Sequence, residues 1–527
     1  VSPHNPKRLY FASYRVWKSN SRGDDWEPIS GDLTRNEERI ALPIMGGIQS
    51  WDNPWDIAAM SSYSTITSLS ESPAKAGLIW AGTDDGIIQM TTDDGGTWKK
   101  TWVKDLPGVP ERAFVNDIKA DLYDENTVYV SLDNHKEGDF TPYIFKSTNQ
   151  GKTWTSMRAN LPDNTLVWRL VQDHVKKDLL FLGTENGIYV TMNGGGEWKK
   201  LAGSPTIPFR DLAIQKREND LVGASFGRSF WVLDDYSPMR DMTTEKMDKE
   251  GALFSARDAW WYSPRNNDPG VGADKYAADN PDFGAVFTYN LNTEYKSMKD
   301  TRKEMEKAAK KDGKPLAFAG YDALDAENDE RKPKVWLTVM DADGNIVRKI
   351  DKPMKKGLQR VAWDLRYPST WAISPGQGGG GGRWSGGAMA PPGKYSVTLS
   401  KEVGGMVTQL DGPVSFNVKP LHKPTVPGAD AAPLVAYREK VKEVQDMMAE
   451  GQENLGDLEK QVKSMETALE RSAIAPGKLN EKVYALQDEV RKLTRIMEGS
   501  SAREEVGENG PPTVSSHFFA GYRGLST

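Results

Sequence analysis

Carboxylates and one histidine carry whatever acid–base chemistry this chain can do. Asp84 and Asp85 lie side by side in Gly82-Thr83-Asp84-Asp85-Gly86, and Glu185 holds the matching place in Gly183-Thr184-Glu185-Asn186-Gly187. Asp117 lies near a further turn. Paired carboxylates can protonate a leaving oxygen and activate water. Cleaving a glycosidic bond takes two of them, about 5–5.5 Å apart for retention or about 6.5–9.5 Å apart for inversion. The simpler reading of all four is a turn or solvated residue. His135 stands among acids in Asp133-Asn134-His135-Lys136-Glu137-Gly138-Asp139, read as a long insertion between strands. It could act as a general base or metal ligand, although a loop hydrogen-bond network is the simpler account. Arg112, Arg169, Arg210 and Arg228 are scattered and form no recognisable anion-binding triad. Neither zinc-type nor EF-hand spacing occurs, so no cofactor and no metal site are expected, with calcium on an acidic loop left open.

Those residues sit on turns, and the turns belong to a repeat. Thr91-Thr92-Asp93-Asp94-Gly95-Gly96-Thr97-Trp98 is its clearest copy, and Ser147–Trp154, Thr191–Trp198 and Ser19–Trp26 follow the same form. The shared pattern is Ser/Thr-x-Asp-x-Gly-x-Thr-Trp, the Asp-box. Its Asp or Asn (Asp93, Asn149, Asn193) can accept backbone N–H groups just ahead of it. Its Gly (Gly23, Gly95, Gly151, Gly195) supplies a positive φ. Its Trp (Trp26, Trp98, Trp154, Trp198) offers an apolar face on the next strand. None of this needs a ligand, so these are read as structural residues. Strand–turn–strand runs precede the copies, and Asp211–Asp235 reads as a further unit without one. About five blade-sized units in residues 1–236 predict a β-propeller.

Composition narrows the class. The 527 residues are 38% hydrophobic and 27% charged, with a net charge of −6 and no cysteine. Disulfides and thiol chemistry are thereby excluded. The acidic balance argues against a nucleic-acid surface. No apolar run approaches the ~20 residues of a membrane helix. The chain opens on Val1 with what reads as a blade cut at its boundary, so a mature or processed piece is expected.

Beyond the repeat, residues 237–281 read as a connector punctuated at Asp268-Pro269-Gly270 and Asn280-Pro281. Residues 282–422 read as a fibronectin/Ig-like β-sandwich, with a helical insertion at 295–331 and a Gly-rich loop at 376–388 that includes Arg383 and Trp384. That loop lacks the Gly-Lys-Ser/Thr ending of a phosphate loop. Residues 430–498 read as an antiparallel helical hairpin broken at Pro476-Gly477. Its stripe of Val444, Leu455, Leu458, Val462, Met465, Val483, Leu486, Val490 and Leu493 is expected to form a coiled-coil core. A polar tail, 499–527, closes the chain with the patch Phe518-Phe519-Ala520-Gly521-Tyr522. The expected fold is therefore mainly β, with propeller, sandwich and helical hairpin in that order.

These motifs resemble a known family. The Asp-boxes are similar to those of sialidases, two-propeller endoglucanases and sortilin-type propellers. The whole chain is similar to the C-terminal portion of large bacterial sortilin-like, BNR-repeat proteins often described as glycosyl hydrolase-like. Trp80–Gly86, Tyr143–Ser147, Phe226–Asp235, Trp363–Arg366 and Ala390–Tyr395 carry the likeness. It implies a periplasmic, outer-membrane-associated or secreted location in a Gram-negative envelope. It also implies that an N-terminal half, missing here, completes the propeller. Two functions follow as expectations. The first is a non-catalytic scaffold that binds a protein or peptide, one partner being that missing half. The second is a two-propeller polysaccharide hydrolase whose cleft needs it, with a glycan as ligand and Asp84, Asp85, Glu185 and His135 as weak catalytic candidates.

Overall fold

The computed structural model describes residues 1–38, 41–44, 47–48, 50, 63–264, 278–368, 387–422, 431–508 and 510–526. The turn at Asp268-Pro269-Gly270 lies outside them, as do Arg383, Trp384 and all but the last residues of the Gly-rich loop. The chain is mainly β, with helices toward its C-terminus, and divides into two compact units, Val1–Met247 and Asp248–Thr527.

In the first unit, antiparallel meander sheets follow one another along the chain. Sheet 1 holds Leu9–Ala12, Val16–Ser19 and Glu27–Pro28. Sheet 2 holds Ile66–Glu71, Ile79–Thr83, Ile87–Thr91 and Lys99–Trp102. Sheet 3 holds Phe114–Ala120, Val128–Asn134, Asp139–Ser147 and Thr155–Ser156. Sheet 4 holds Val167–Gln172, Leu180–Thr184, Gly187–Thr191 and Lys199–Lys200, and sheet 5 holds Phe209–Gln215, Asp220–Ser225 and Phe230–Leu233. A two-stranded hairpin, Pro43–Ile44 with Gly47–Ile48, stands apart from these sheets.

The middle strands of sheets 2 and 4 are buried at every position, not at alternate ones. Continuous burial follows when both faces of a sheet are covered, here by the neighbouring sheets. One apolar cluster joins Trp80 and Ile88 of sheet 2 to Val115, Val130 and Phe145 of sheet 3. Another joins Phe181 and Val190 of sheet 4 to Phe209 and Leu221 of sheet 5. The first strands of successive sheets lie side by side, and Thr67 Oγ1 donates to Val115 O at 2.7 Å while Asn116 Nδ2 donates to Val167 O at 2.9 Å. This is a propeller-like succession.

The repeated turns are hydrogen-bonded in one way. In the clearest copy, Gly95 N donates to Thr91 Oγ1 (3.0 Å) and Thr97 N to Asp93 Oδ1 (2.8 Å). Asn149 and Asn193 accept from Thr153 N and Glu197 N, each at 3.0 Å. In the first copy Ser21 stands where the others have Asp or Asn, and its hydroxyl accepts Asp25 N. Trp98 Nε1 reaches back to Ile29 O and Trp198 Nε1 to Met157 O, each just past the last strand of the sheet before its own. Trp154 meets Trp80 edge-on at 6.5 Å. Trp26 stays 42% exposed, with Phe11 edge-on to its ring.

The second unit packs two sheets around one core. Gly251–Leu253, Ala285–Leu291 and Gly357–Trp363 form the first. Ala259–Trp261, Met406–Pro420, Gly393–Val403, Lys334–Met340 and Ile346–Pro353 form the second, in that order across the sheet. Burial alternates along Lys334–Met340, which sends Val335, Leu337 and Val339 inward. Phe287, Trp363, Tyr395 and Phe416 make an aromatic centre with ring separations from 5.3 Å. Two strands of these sheets, Gly251–Leu253 and Ala259–Trp261, come from the stretch read as connector. Sequence alone missed them because three-residue strands carry no measurable period.

The insertion is two helices, Met298–Lys311 and Tyr321–Asp329, joined by Arg302 bonded to Glu327. Helices Ala431–Glu470 and Lys478–Met497 run antiparallel, with Thr494 Oγ1 donating to Glu459 at 2.8 Å and Met497 against Gly451. The expected apolar seam is only partly buried. Leu455, Val462 and Val490 are covered, whereas Val444, Leu458, Met465, Leu486 and Leu493 are each more than 40% exposed. Two helices paired only with each other leave the flanks of the stripe open. The stretch read as tail contains helices Ser501–Glu504 and Val514–Ser526.

Candidate functional site

The meander decides which residues share an end of the first unit. In sheets 2 to 5 the start of the first strand and the turn between the second and third strands fall at the same end, because neighbouring strands run antiparallel. That turn carries Asp84 and Asp85 in sheet 2, His135 in sheet 3, Glu185 in sheet 4 and Phe226 and Arg228 in sheet 5. All four sequence candidates therefore occupy equivalent positions along one rim. The repeated turns, between third and fourth strands, lie at the opposite end.

Asp85 is wholly buried and spent in structure. Thr83 Oγ1 donates to its Oδ1 at 2.5 Å and Arg35 N to its Oδ2 at 2.8 Å. The Arg35 guanidinium donates onward to Asp85 O (2.6 Å) and Glu111 O (2.8 Å), and its plane lies over the Trp102 ring. Asp84 differs. Its Oδ1 accepts Thr65 N at 2.7 Å, and it lines a cleft of about 360 Å³ with Tyr63, Glu111, Arg112, Phe114, Asp133 and Lys136. Burial, reinforced by the adjacent Asp85 charge, pushes the Asp84 carboxyl up to about 6. A carboxyl in that range can exchange a proton near neutral pH.

Its neighbours are engaged. Glu111 is ion-paired with Arg35, which holds it below the usual carboxylate range. Arg112 pairs with Glu37 at 3.0 Å. Asp133 is hydrogen-bonded to the His135 ring, whose edge meets Trp168 at 5.8 Å between centroids. His135 does not sit in a long insertion. It lies in a single tight turn, His135–Glu137, because the flanking strands extend to Asn134 and from Asp139. Glu185 accepts from Trp168 Nε1 at 3.0 Å. Neither Glu185 nor Asp117 lines the cleft.

The feature that sequence reasoning missed runs through the first strands. Each carries a one-residue bulge at the same place, at Thr67, Asn116, Trp168 and Arg210. Bulges re-aim side chains. Here Thr67 and Asn116 clip the next strand, while the Arg210 guanidinium stacks on the Trp168 ring at 3.5 Å with exposed Phe226 nearby. The residue after each bulge joins a polar ladder across four strands. Ser68 Oγ donates to Asp117 (3.3 Å), and Arg169 donates to Asp117 (2.8 Å) and to Asp211 (2.7 Å). Asp117 is buried, whereas Asp211 is 59% exposed at the open end. Aligning the strands on Ile66-Thr67-Ser68-Leu69, Val115-Asn116-Asp117-Ile118, Val167-Trp168-Arg169-Leu170 and Phe209-Arg210-Asp211-Leu212 would have revealed it.

Among the described residues no group of three or more His, Asp or Glu side chains is placed to hold a metal. No helix among them is long and apolar enough to cross a membrane.

No protein-family model and no curated protein matches this chain. Solved structures do resemble it. A GH74 enzyme of Niastella koreensis is 15% identical, over 43% of this chain and 32% of that one, with a TM-score of 0.32. An ancestral GH74 enzyme is 13% identical, over 79% of this chain and 45% of that one, with a TM-score of 0.33. The β-propeller domain of Myceliophteria thermophila Cps50 (Swd1) is 10% identical, over 48% of this chain and 73% of that one, with a TM-score of 0.32. The chain thus spans less than half the length of the two GH74 enzymes.

Proposed function

We propose that this chain is a non-catalytic scaffold. Its first unit would be part of an Asp-box β-propeller of about five blade units here, binding a protein or peptide. An Ig-like sandwich and a coiled-coil hairpin would join it to a bacterial envelope assembly. The observation that supports this most is how the rim carboxylates are used. Asp85, Asp133 and Glu111 are each held by a hydroxyl, a ring nitrogen or a guanidinium. A catalytic pair needs two carboxyl groups facing one substrate at a fixed separation. The envelope location rests on the sortilin-like resemblance of the Asp-box and Trp363-Asp364-Leu365-Arg366 motifs.

A second reading has one observation in its favour. Asp84, titrating near 6 beside a cleft, has the character of a general acid. In that reading the chain is half of a two-propeller glycoside hydrolase, and the other propeller brings the second carboxylate. Reducing-end assays on a panel of polysaccharides, with the chain joined to the second propeller that the hydrolase reading requires and Asp84 either kept or changed (Asp84→Asn), separate the two. The scaffold reading expects no turnover by either protein. Cleavage by the parent that is lost in Asp84→Asn would establish the hydrolase and sink the scaffold.

A further inference from the structure

Two carboxylates of the cleft beside Asp84 each keep one oxygen in reserve. Asp84 is only 8% exposed, and its Oδ1 accepts Thr65 N. Its Oδ2 has no donor among the described residues. Asp133 is 2% exposed, and its Oδ1 is taken by the backbone N–H and the ring of His135. Its Oδ2 likewise has no donor among them. Neither Oδ2 is sealed in the interior, and both residues line the same cleft of about 360 Å³. A buried acceptor left without a donor is costly. Two of them at one opening fit a ligand that brings donors.

The cleft's own cations are turned elsewhere. Arg112 pairs with Glu37 at 3.0 Å. Lys136 holds its ammonium 5.3 Å from the centroid of the Phe114 ring. Glu111 and Glu137 add charge at the mouth, so the described lining carries four carboxylates against two cations. Pro43 and Phe114 supply apolar wall. Such a site suits a long side chain with an apolar stem and a charged, donor-rich tip. A guanidinium fits it better than an ammonium. Its donors lie in a flat fork that can serve two acceptors at once, and it is more weakly hydrated.

We propose that this cleft takes one arginine side chain of a peptide partner, with the guanidinium donating to Asp84 Oδ2 and Asp133 Oδ2 and the methylenes against Pro43 and Phe114. This rests on the reading that the first unit binds a protein or peptide, and it names the residue that is bound. The cleft volume lies at the small end of ligand sites, which suits a single side chain.

The test uses the full chain and the N-acetyl amides of arginine, lysine and citrulline, with affinities read by ligand-observed NMR. Citrulline has the shape of arginine without its charge. The arginine probe is expected to bind about ten-fold more tightly than the citrulline probe, as one hydrogen bond to a charged group would give. Asp84→Asn keeps an oxygen for Thr65 N, and a urea melt confirms that it is folded. It is expected to weaken the arginine probe about ten-fold. Lys136→Met removes a like charge from the wall and is expected to tighten the arginine probe about three-fold. Equal affinity for arginine and citrulline, no binding of either included, overturns the proposal. Unchanged affinity in folded Asp84→Asn does the same. A lysine probe that binds as tightly as arginine makes this a site for any cation and overturns the assignment. Free arginine that binds more tightly than the blocked form makes the ligand an amino acid, not a peptide, and also overturns it. Polysaccharide turnover by the two-propeller protein would sink the scaffold reading whatever the probes do. Equal arginine and citrulline binding without turnover would sink the proposal alone, so the two failures are distinguishable.

Discussion

At the residue scale, what a buried carboxylate costs or contributes depends on what surrounds it. Asp84 is raised to about 6 from 3.8, mainly by burial. The folded state therefore binds its proton more tightly than the unfolded chain does. Ionising Asp84 costs stability fully above about pH 6, and the cost disappears as pH falls through that value toward 4. Asp84→Asn keeps an oxygen for Thr65 N. It is expected to stabilise the protein at pH 7.5 by up to about 3 kcal/mol and to be neutral at pH 4, as read from urea melts. Equal effects at both pH values would show that the charge is not the cause. Asp117 is a buried carboxylate held by Arg169. Removing one partner of a buried pair leaves an uncompensated charge, so Arg169→Met is expected to cost about 3–5 kcal/mol. Adding Asp117→Asn should recover a large part of that. Asp211→Asn, at the exposed end, should cost less than about 1 kcal/mol. A double variant as unstable as the sum of its singles would refute the ladder.

At the element scale, the repeated turns are set by local chemistry and by one close approach. Gly95 has φ of +100°, and a Cβ there would lie 2.5 Å from Ile29 O, just past the last strand of the preceding sheet. Gly108 has φ of +75° with nothing within 4 Å. Both resist alanine through backbone strain, but only Gly95 also meets fixed backbone. Gly95→Ala should therefore lower the melting temperature clearly more than Gly108→Ala, and equal losses would mean that the sheet contact carries nothing. Asp93, held by Thr91 and Thr97, is lowered to about 2. Its contribution is present above pH 3.8 and is lost as pH falls through about 2, so Asp93→Ala should differ from the parent at pH 7 and converge with it below pH 2. These turns were legible in the sequence because Ser/Thr, Asp/Asn, Gly and Trp each do a local job at fixed spacing. The short strands Gly251–Leu253 and Ala259–Trp261 were not, since partners more than thirty residues away hold them in place.

At the scale of the whole molecule, each unit is held by its own core. Trp363 sits fully buried against Tyr395 and Phe416 in the second unit. Trp363→Ala is expected to cost about 3–5 kcal/mol and to quicken amide exchange in Ala285–Leu291 and Gly357–Trp363. Unchanged exchange in those strands would contradict the shared core. The sequence by itself determined the mainly β character, the repeated turns and the helical C-terminal region, because these follow from period, turn chemistry and composition within short windows. It also named Asp84, Asp85, His135 and Glu185 without showing that they share one rim. Only the tertiary structure decided that, because the antiparallel meander converts equal sequence offsets into one shared end. It alone decided which rim carboxyl is tied into the fold, since the Asp85 partner Arg35 lies fifty residues away. It alone showed the bulges and the ladder through Asp117 and Arg169, because both depend on strand register, which is fixed only when the sheets pack.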